Sequence, residues 1–516
     1  MKTILLIALC LASLVTAYGQ GYLQEDNTFG SNGSILASTN YNMIIGYDAK
    51  IKNLIAIDDQ TLAYSHRVAT STSIPFDVIQ VAEETGNEYE ILTTPTSWDF
   101  STTVGAISSN GSGGFFTAVN YDSVTANSTD YAVLQNYSLT SVSTATLNTN
   151  WGVNGELILE EPGTSLKAQK ILVDNSGGGY VIGILDDHQT PLDFFIFKFT
   201  SNGQADTNYG NNGLAVFTFG DAATEVVCAT LAPTGEVFFG GTLYYNGDWE
   251  SFIAKITSDG QKDASFGSDD VGLSYLYFQS SNNSGTVRDI ALDDQGELIV
   301  LGSGIIIGAY RTSIARVLVD GSVDTNFGYV TDADMNAGYD EVRYNDLQIL
   351  SDGNILVSGE ATPTGQSTSN HALFLFNADG TINTSELSNG YYLLPTYGDI
   401  LDATMTPNGK LFWVGSVEPG DNPFSSYSGR IEFSGAAALF ESDVQSNLLI
   451  YPNPAKDYLK IEVDNQLTEV RILNNLGQEV YTGKETLIDI SRLQAGVYTV
   501  EVTSLGVHSV EKFIKE

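Results

Sequence analysis

A single motif recurs through the middle of this chain at nearly constant spacing. Four segments align, at 197–210, 254–267, 315–328 and 375–387. Their shared turn glycines Gly203, Gly260, Gly321 and Gly380 lie 57, 61 and 59 residues apart. Each segment is an alternating apolar run that meets Asn202-Gly203, Asp259-Gly260, Asp320-Gly321 or Asp379-Gly380. These are hairpin signals of the type I′ kind, because Asn, Asp and Gly tolerate positive φ. Asp206, Asp263 and Asp324 follow three residues later, then Tyr209-Gly210, Phe266-Gly267 and Phe327-Gly328, with an earlier partial copy ending at Trp151-Gly152. A second turn marker sits half a period away, clearest at Gly235, Gly296, Gly353 and Gly409 and looser at Gly177–Gly179, Asn110–Gly114 and Asp58–Gln60. Seven such markers between about 22 and 436 give about 59 residues each, close to the glycine period.

Two hairpins per period mean four strands per repeat, and four-stranded units repeated four to eight times form a propeller. A blade alone leaves its faces exposed; stacking around an axis buries them. The expected fold is all-β: a seven-bladed β-propeller over 21–440, then a small antiparallel β-sandwich over 447–516. The first strands near 34–47 and the last near 427–437 are placed to close the ring. A β-solenoid is the rival, although its coils are usually far shorter. The lines N-G-Q-x-D-x-x-Y-G and D-G-x-x-D-x-x-F-G resemble the delta-60 repeat, a bacterial repeat that implies propeller-like sheets and no particular activity. The resemblance is good over 145–390 and loose over 22–144. The fourth copy departs from it, with Asn383 in place of the acid and Glu386-Leu387 in place of aromatic-Gly.

After residue 446 the repeat stops. Three alternating segments follow, at 448–463, 470–483 and 488–502. Tyr451-Pro452-Asn453-Pro454, the turn ending at Gly477, Gly496-Val497-Tyr498 and Lys512-Phe513-Ile514-Lys515 resemble the type A C-terminal sorting domain of the type IX secretion system of Bacteroidetes. That resemblance implies a secretion signal carried by Tyr451, Pro452, Asn453, Pro454, Gly477, Gly496, Tyr498 and Lys512, and the type IX machinery as a partner. The chain begins with Lys2, an apolar run from Ile4 to Val15, and small residues around Ala17 and Gly19. This is the order of a signal peptide, too short to span a bilayer, so 1–20 is expected to be removed after Ala17 or nearer Gln20. No transmembrane span is expected, and the mature chain is expected to be secreted or held at the outer-membrane surface. With Cys10 removed, Cys228 is the remaining cysteine, which leaves no internal disulfide.

Charge narrows the partners. The chain carries 22 Lys and Arg against 62 Asp and Glu, and between 21 and 446 the imbalance is 14 against 52. Such a surface repels phosphate backbones, so nucleic acid is not expected as a partner. The four histidines, His66, His188, His371 and His508, are isolated, and no zinc, nucleophile-elbow or phosphate-loop signature occurs. No catalytic residue is assigned. Asp332, Asp334 and Asn336 begin like a calcium loop, but Gly338 falls one place late and Arg343 stands where Glu is required. Calcium is the one cofactor left open. Asp206, Asp263 and Asp324 read as turn residues that cap backbone amides. Two functions remain: a binding or adhesion module for an extracellular glycan or protein, and a propeller hydrolase or lyase acting on extracellular polysaccharide or protein.

Overall fold

The computed structural model describes residues 23–515 apart from 26–33, 39–50 and a series of connecting segments, of which the longest are 69–75, 94–99, 124–129, 187–192, 279–284, 332–338, 417–424 and 434–448. The initial segment 1–20 and the run Asp332, Asp334 and Asn336 lie outside the described residues. No helix among the described residues is long and apolar enough to cross a membrane.

The chain divides into two compact units, Met1–Leu439 and Phe440–Glu516. The first is a seven-bladed β-propeller. Blades 1 to 6 are consecutive antiparallel meanders whose inner strands are Ile51–Ala56, Phe100–Ser109, Ser165–Val173, Ala222–Leu231, Thr286–Leu292 and Tyr339–Ile349. Blade 7 takes Ile400–Met405, Leu411–Ser416 and Ser425–Phe433 from the end of the repeat and its outermost strands from the start of the chain. Leu23–Glu25 and Ser34–Ser38 both pair with Ser425–Phe433, with Leu36 opposite Tyr427. The ring is therefore closed by strands from both ends of the repeat.

Apolar faces meet between blades. The interface of blades 3 and 4 gathers Phe194, Phe219, Phe239 and Phe252 with ring centroids 5.3–6.3 Å apart. Burying each such ring stabilises the fold by roughly 2–3 kcal/mol. Outside this packing the repeated motif forms a clasp. The amides of Gly152, Gly210 and Gly267 donate to the carbonyls of Asn202, Asp259 and Asp320 in the following blade, at 2.9, 3.1 and 2.8 Å. The aromatic before each glycine is buried beneath the next blade's turn.

The turns are not type I′. Gly203, Gly260, Gly321 and Gly380 have positive φ, but the Asn or Asp before each does not. The amide of Gly203 donates to Thr200 O and that of Thr200 to Gln204 O, so these are type I turns closed by a left-handed glycine, the three-residue alternative for a hairpin. Asp206, Asp263 and Asp324 accept the amides two residues on, and each also pairs with a cation eight residues earlier: Lys198, Lys255 or Arg316. In the departing fourth copy Asn383 accepts the Glu386 amide, and the position eight residues earlier is the buried Leu375, so a neutral residue replaces the acid where its cation is missing. Leu387 packs with Trp413 and Ile431 of blade 7.

The second unit has a three-stranded sheet, Leu449–Tyr451, Tyr458–Glu462 and Leu487–Asp489, and a four-stranded sheet in the order Glu479–Gly483, Leu467–Leu473, Gly496–Ser504, Val507–Lys515. Leu459, Ile461 and Ile488 of the first share a core with Val470, Ile472, Val500, Val502 and Phe513 of the second.

Candidate ligand site in the axial channel

Every inner strand carries a β-bulge at the same level, at Asn53, Gly105, Gln169, Val227, Arg288, Asn345 and Leu401. A bulge places one extra residue against the partner strand and re-aims the side chains around it. Here the bulged segments line the axis. Two adjoining chambers, of about 440 and 450 Å³, share Asn53, Lys170, Asp289, Asp346 and Asp402. The chamber toward the starts of the inner strands adds Arg288, Asn345, Gln169, Asn120 and Lys167. The chamber toward their ends adds Thr230 and Gln348 among aliphatic residues.

The polar groups tie neighbouring blades together. Asp289 Oδ2 accepts the Leu347 amide at 2.9 Å, and its Oδ1 accepts the Ile290 amide at 2.9 Å. Asp402 Oδ2 accepts the Leu54 amide at 2.8 Å, across the seam where blade 7 meets blade 1. Gln169 accepts from Val226, Asn120 from Ala168 and Asp77 from Val104, while Asn345 donates to Asp399 and to Ile400 O. Six of the seven seams are joined in this way. A buried amide left unpaired costs about 1–3 kcal/mol, which is the physical reason for the side-chain acceptors at five of these seams.

Asp289, Asp346 and Asp402 line the channel, Asp399 lies behind it on Asn345, and burial sets their protonation. Burial pushes Asp402 up to about 6. Asp399 rises to about 7 through burial and the nearby Glu360 charge. Asp346 is raised well above the usual range by burial and by Asp289 and Asp402, and Asp289 is raised by burial against the opposing pull of the Leu347 amide and Lys170. The native state thus binds more protons than the unfolded chain between pH 4 and 7, so stability falls as pH rises through that window. His371 acts in the opposite sense: burial lowers it to about 4, so it destabilises the fold as pH drops below its ordinary value. Four carboxyls outweigh one imidazole. Thermal unfolding is expected at a higher temperature at pH 5.5 than at pH 8, and Asp399→Asn is expected to flatten that slope; an unchanged slope would show that Asp399 ionises normally.

His371 is the one histidine whose side chain is among the described residues, and it is committed to structure. His371 is fully buried; its Nε2 donates to Ser416 O at 2.9 Å, its Nδ1 accepts from Thr396 Oγ1 at 2.8 Å, and its ring lies 4.9 Å from that of Trp413. His66 and His508 lie in strands, and His188 is outside the described residues.

In the second unit Pro452 and Gly477 lie outside the described residues. Tyr451 is partly exposed and receives a hydrogen bond from Lys460 Nζ at 2.8 Å. Asn453 and Pro454 form a cis peptide bond, Gly496 opens the strand Gly496–Ser504, Tyr498 donates to Gln494 O at 2.9 Å and stacks on Phe513, and Lys512 pairs in register with Thr499.

The sequence reading missed the channel residues. A period was nonetheless visible: Asp289, Asp346 and Asp402 stand 57 and 56 residues apart, each in the middle of an apolar strand where a charge needs a reason.

Comparison with known proteins agrees with this division. Residues 449–516 match the secretion system C-terminal sorting domain. Residues 232–266, 296–327 and 350–385 match a beta-propeller domain of unknown function, DUF5122. No curated protein matches the chain. Among solved structures, a protein of unknown function from Dyadobacter fermentans is 12% identical with TM-score 0.36, covering 80% of this chain and 99% of its own. The polysaccharide lyase Uly1 is 11% identical with TM-score 0.42, covering 80% and 94%. A protein from Lactobacillus plantarum is 10% identical with TM-score 0.35, covering 71% and 84%. Likenesses at these scores carry no argument about activity.

Proposed function

We propose that this chain, a DUF5122-type propeller with a type IX sorting domain that directs it to the cell surface or extracellular space, is a recognition module that binds an extracellular glycan or protein without converting it. One observation carries the reading: two of the three channel acids that an enzyme would need are committed to backbone amides. Asp289 and Asp402 hold neighbouring blades through the Leu347 and Leu54 amides, and Asp346 is raised well above the usual carboxylate range by burial and by the Asp289 and Asp402 charges. A general acid or base must reach substrate, and groups engaged in this way do not.

The reading needs no cofactor. Calcium at Asp332, Asp334 and Asn336 stays a separate proposal, tested by the chelator arm of the same experiment. The purified mature chain is passed over immobilised neutral and acidic polysaccharides and outer-membrane proteins, with calcium and with chelator. Specific retention of at least one of them is expected; a chain retained by none would sink the recognition reading. The secretion signal is tested in parallel by deleting 449–516, which is expected to leave the protein in the periplasm.

A further inference from the structure

The channel's hydrogen-bond accounting is lopsided. Its acids have donors: both oxygens of Asp289 and Oδ2 of Asp402 receive backbone N–H groups. Lys170 does not have acceptors. Lys170 lines both chambers and makes no hydrogen bond, and no ion pair within 4 Å, among the described residues, while its charge acts on Asp289 and Asp402. An ammonium carries three donors and no acceptor, so what the channel lacks is a group rich in acceptors.

The chamber also carries Asp289, Asp346 and Asp402, so its charge is mixed, and what sets it apart from the rest of the unit is its share of the cations. The 21–446 segment holds 14 basic residues against 52 acidic ones, yet Lys167, Lys170 and Arg288 all line the one chamber of about 440 Å³. Lys167 is already paired with Asp122 at 3.0 Å. The Arg288 guanidinium is held in place by Ser303 Oγ at 3.1 Å and Asn345 Oδ1 at 3.2 Å, which fixes its plane at the chamber wall. Lys170 is thus the cation left for a guest, with Arg288 as a second positive charge in the same enclosure. In an enclosed site the attraction of a cation for an anion is screened far less than at a surface. Among the described residues no aromatic ring lines either chamber, so these walls offer no stacking platform for an uncharged sugar face.

We propose that this chamber binds a small organic anion, with the guest's carboxylate taken by Lys170 Nζ beside Arg288. The site rests on the recognition reading and gives it a ligand class: a free organic acid, or the acidic end group of a larger extracellular molecule.

The test is calorimetric titration of the purified mature chain with glucuronate, succinate and sulfate, and with glucose as the neutral counterpart of glucuronate. At least one anion is expected to bind one to one, glucose is not, and Lys170→Met is expected to weaken the anion at least tenfold. Because the Lys170 charge also acts on Asp289 and Asp402, the variant is first shown to unfold in one cooperative transition above the assay temperature, which separates loss of the site from loss of the fold. Binding of glucose as strong as glucuronate, unchanged anion affinity in Lys170→Met, or no binding of any of the three anions would each overturn the proposal. Polymer retention that persists in Lys170→Met would overturn the anion site as the basis of that retention while leaving the recognition reading standing. The two failures are therefore distinguishable.

Discussion

Gly321→Ala is expected to destabilise the propeller by about 3–4 kcal/mol, against about 1 kcal/mol for Gly353→Ala. The two glycines have nearly the same backbone, φ 84° and 81°, so the strain of placing an L-residue in the left-handed region is common to both. They differ in what a methyl group would meet. At Gly353 the nearest atom is Ala378 Cβ at 3.6 Å, an ordinary contact. At Gly321 it is Gly267 N at 2.3 Å, with Phe266 Cδ2 at 3.1 Å. The methyl would push apart the clasp in which the Gly267 amide donates to Asp320 O, and would lift the turn from the buried Phe266. A lost hydrogen bond of about 1 kcal/mol and a disturbed aromatic contact of similar size make up the difference. Urea unfolding of the two variants checks it. Equal losses would mean that the aromatic-glycine motif serves each turn locally and does not grip the next blade.

The larger effect is expected from the closure. Deleting 21–38 from the mature chain removes both strands that pair with Ser425–Phe433, leaving that strand as an open edge and blade 7 with three strands. Leu411, Phe412, Trp413 and Val414 are fully buried and depend on blade 7 staying docked. The same seam holds the Asp402 carboxylate against the Leu54 amide, and an undocked blade 7 would expose both. An open ring also offers unpaired strand edges to other copies. The deletion is expected to give an aggregating protein without a cooperative unfolding transition, seen by circular dichroism and light scattering. A soluble deletion variant that unfolds as sharply as the parent would show that the ring does not need its terminal strands.

Much of this architecture is legible in the sequence because its determinants are local. Alternation marks the strands, glycine turns mark the hairpins, and their period near sixty gives the blade; even the closing strands follow from counting. What was not legible depends on neighbours one blade away. Asp289 is an acceptor only because the Leu347 amide arrives 58 residues later, and a bulge at Arg288, invisible in the residue pattern, turns the strand toward the axis. The departure at Asn383 follows from its own blade, where Leu375 stands in the place of the cation that pairs with the acid in the other copies. The turn type was misread for a related reason. Asn-Gly and Asp-Gly suit both a two-residue and a three-residue hairpin, and the hydrogen bonds of Gly203 and Gln204 select the longer one.

The central claim is recognition without conversion. Its most direct test is prolonged incubation of the purified mature chain with every polysaccharide and protein that retains it, with new chain ends counted over time. The account predicts no more new ends than with heat-denatured protein. New ends that accumulate, persist through repurification and vanish in Asp346→Asn would contradict it, and would make the axial carboxyls an active site.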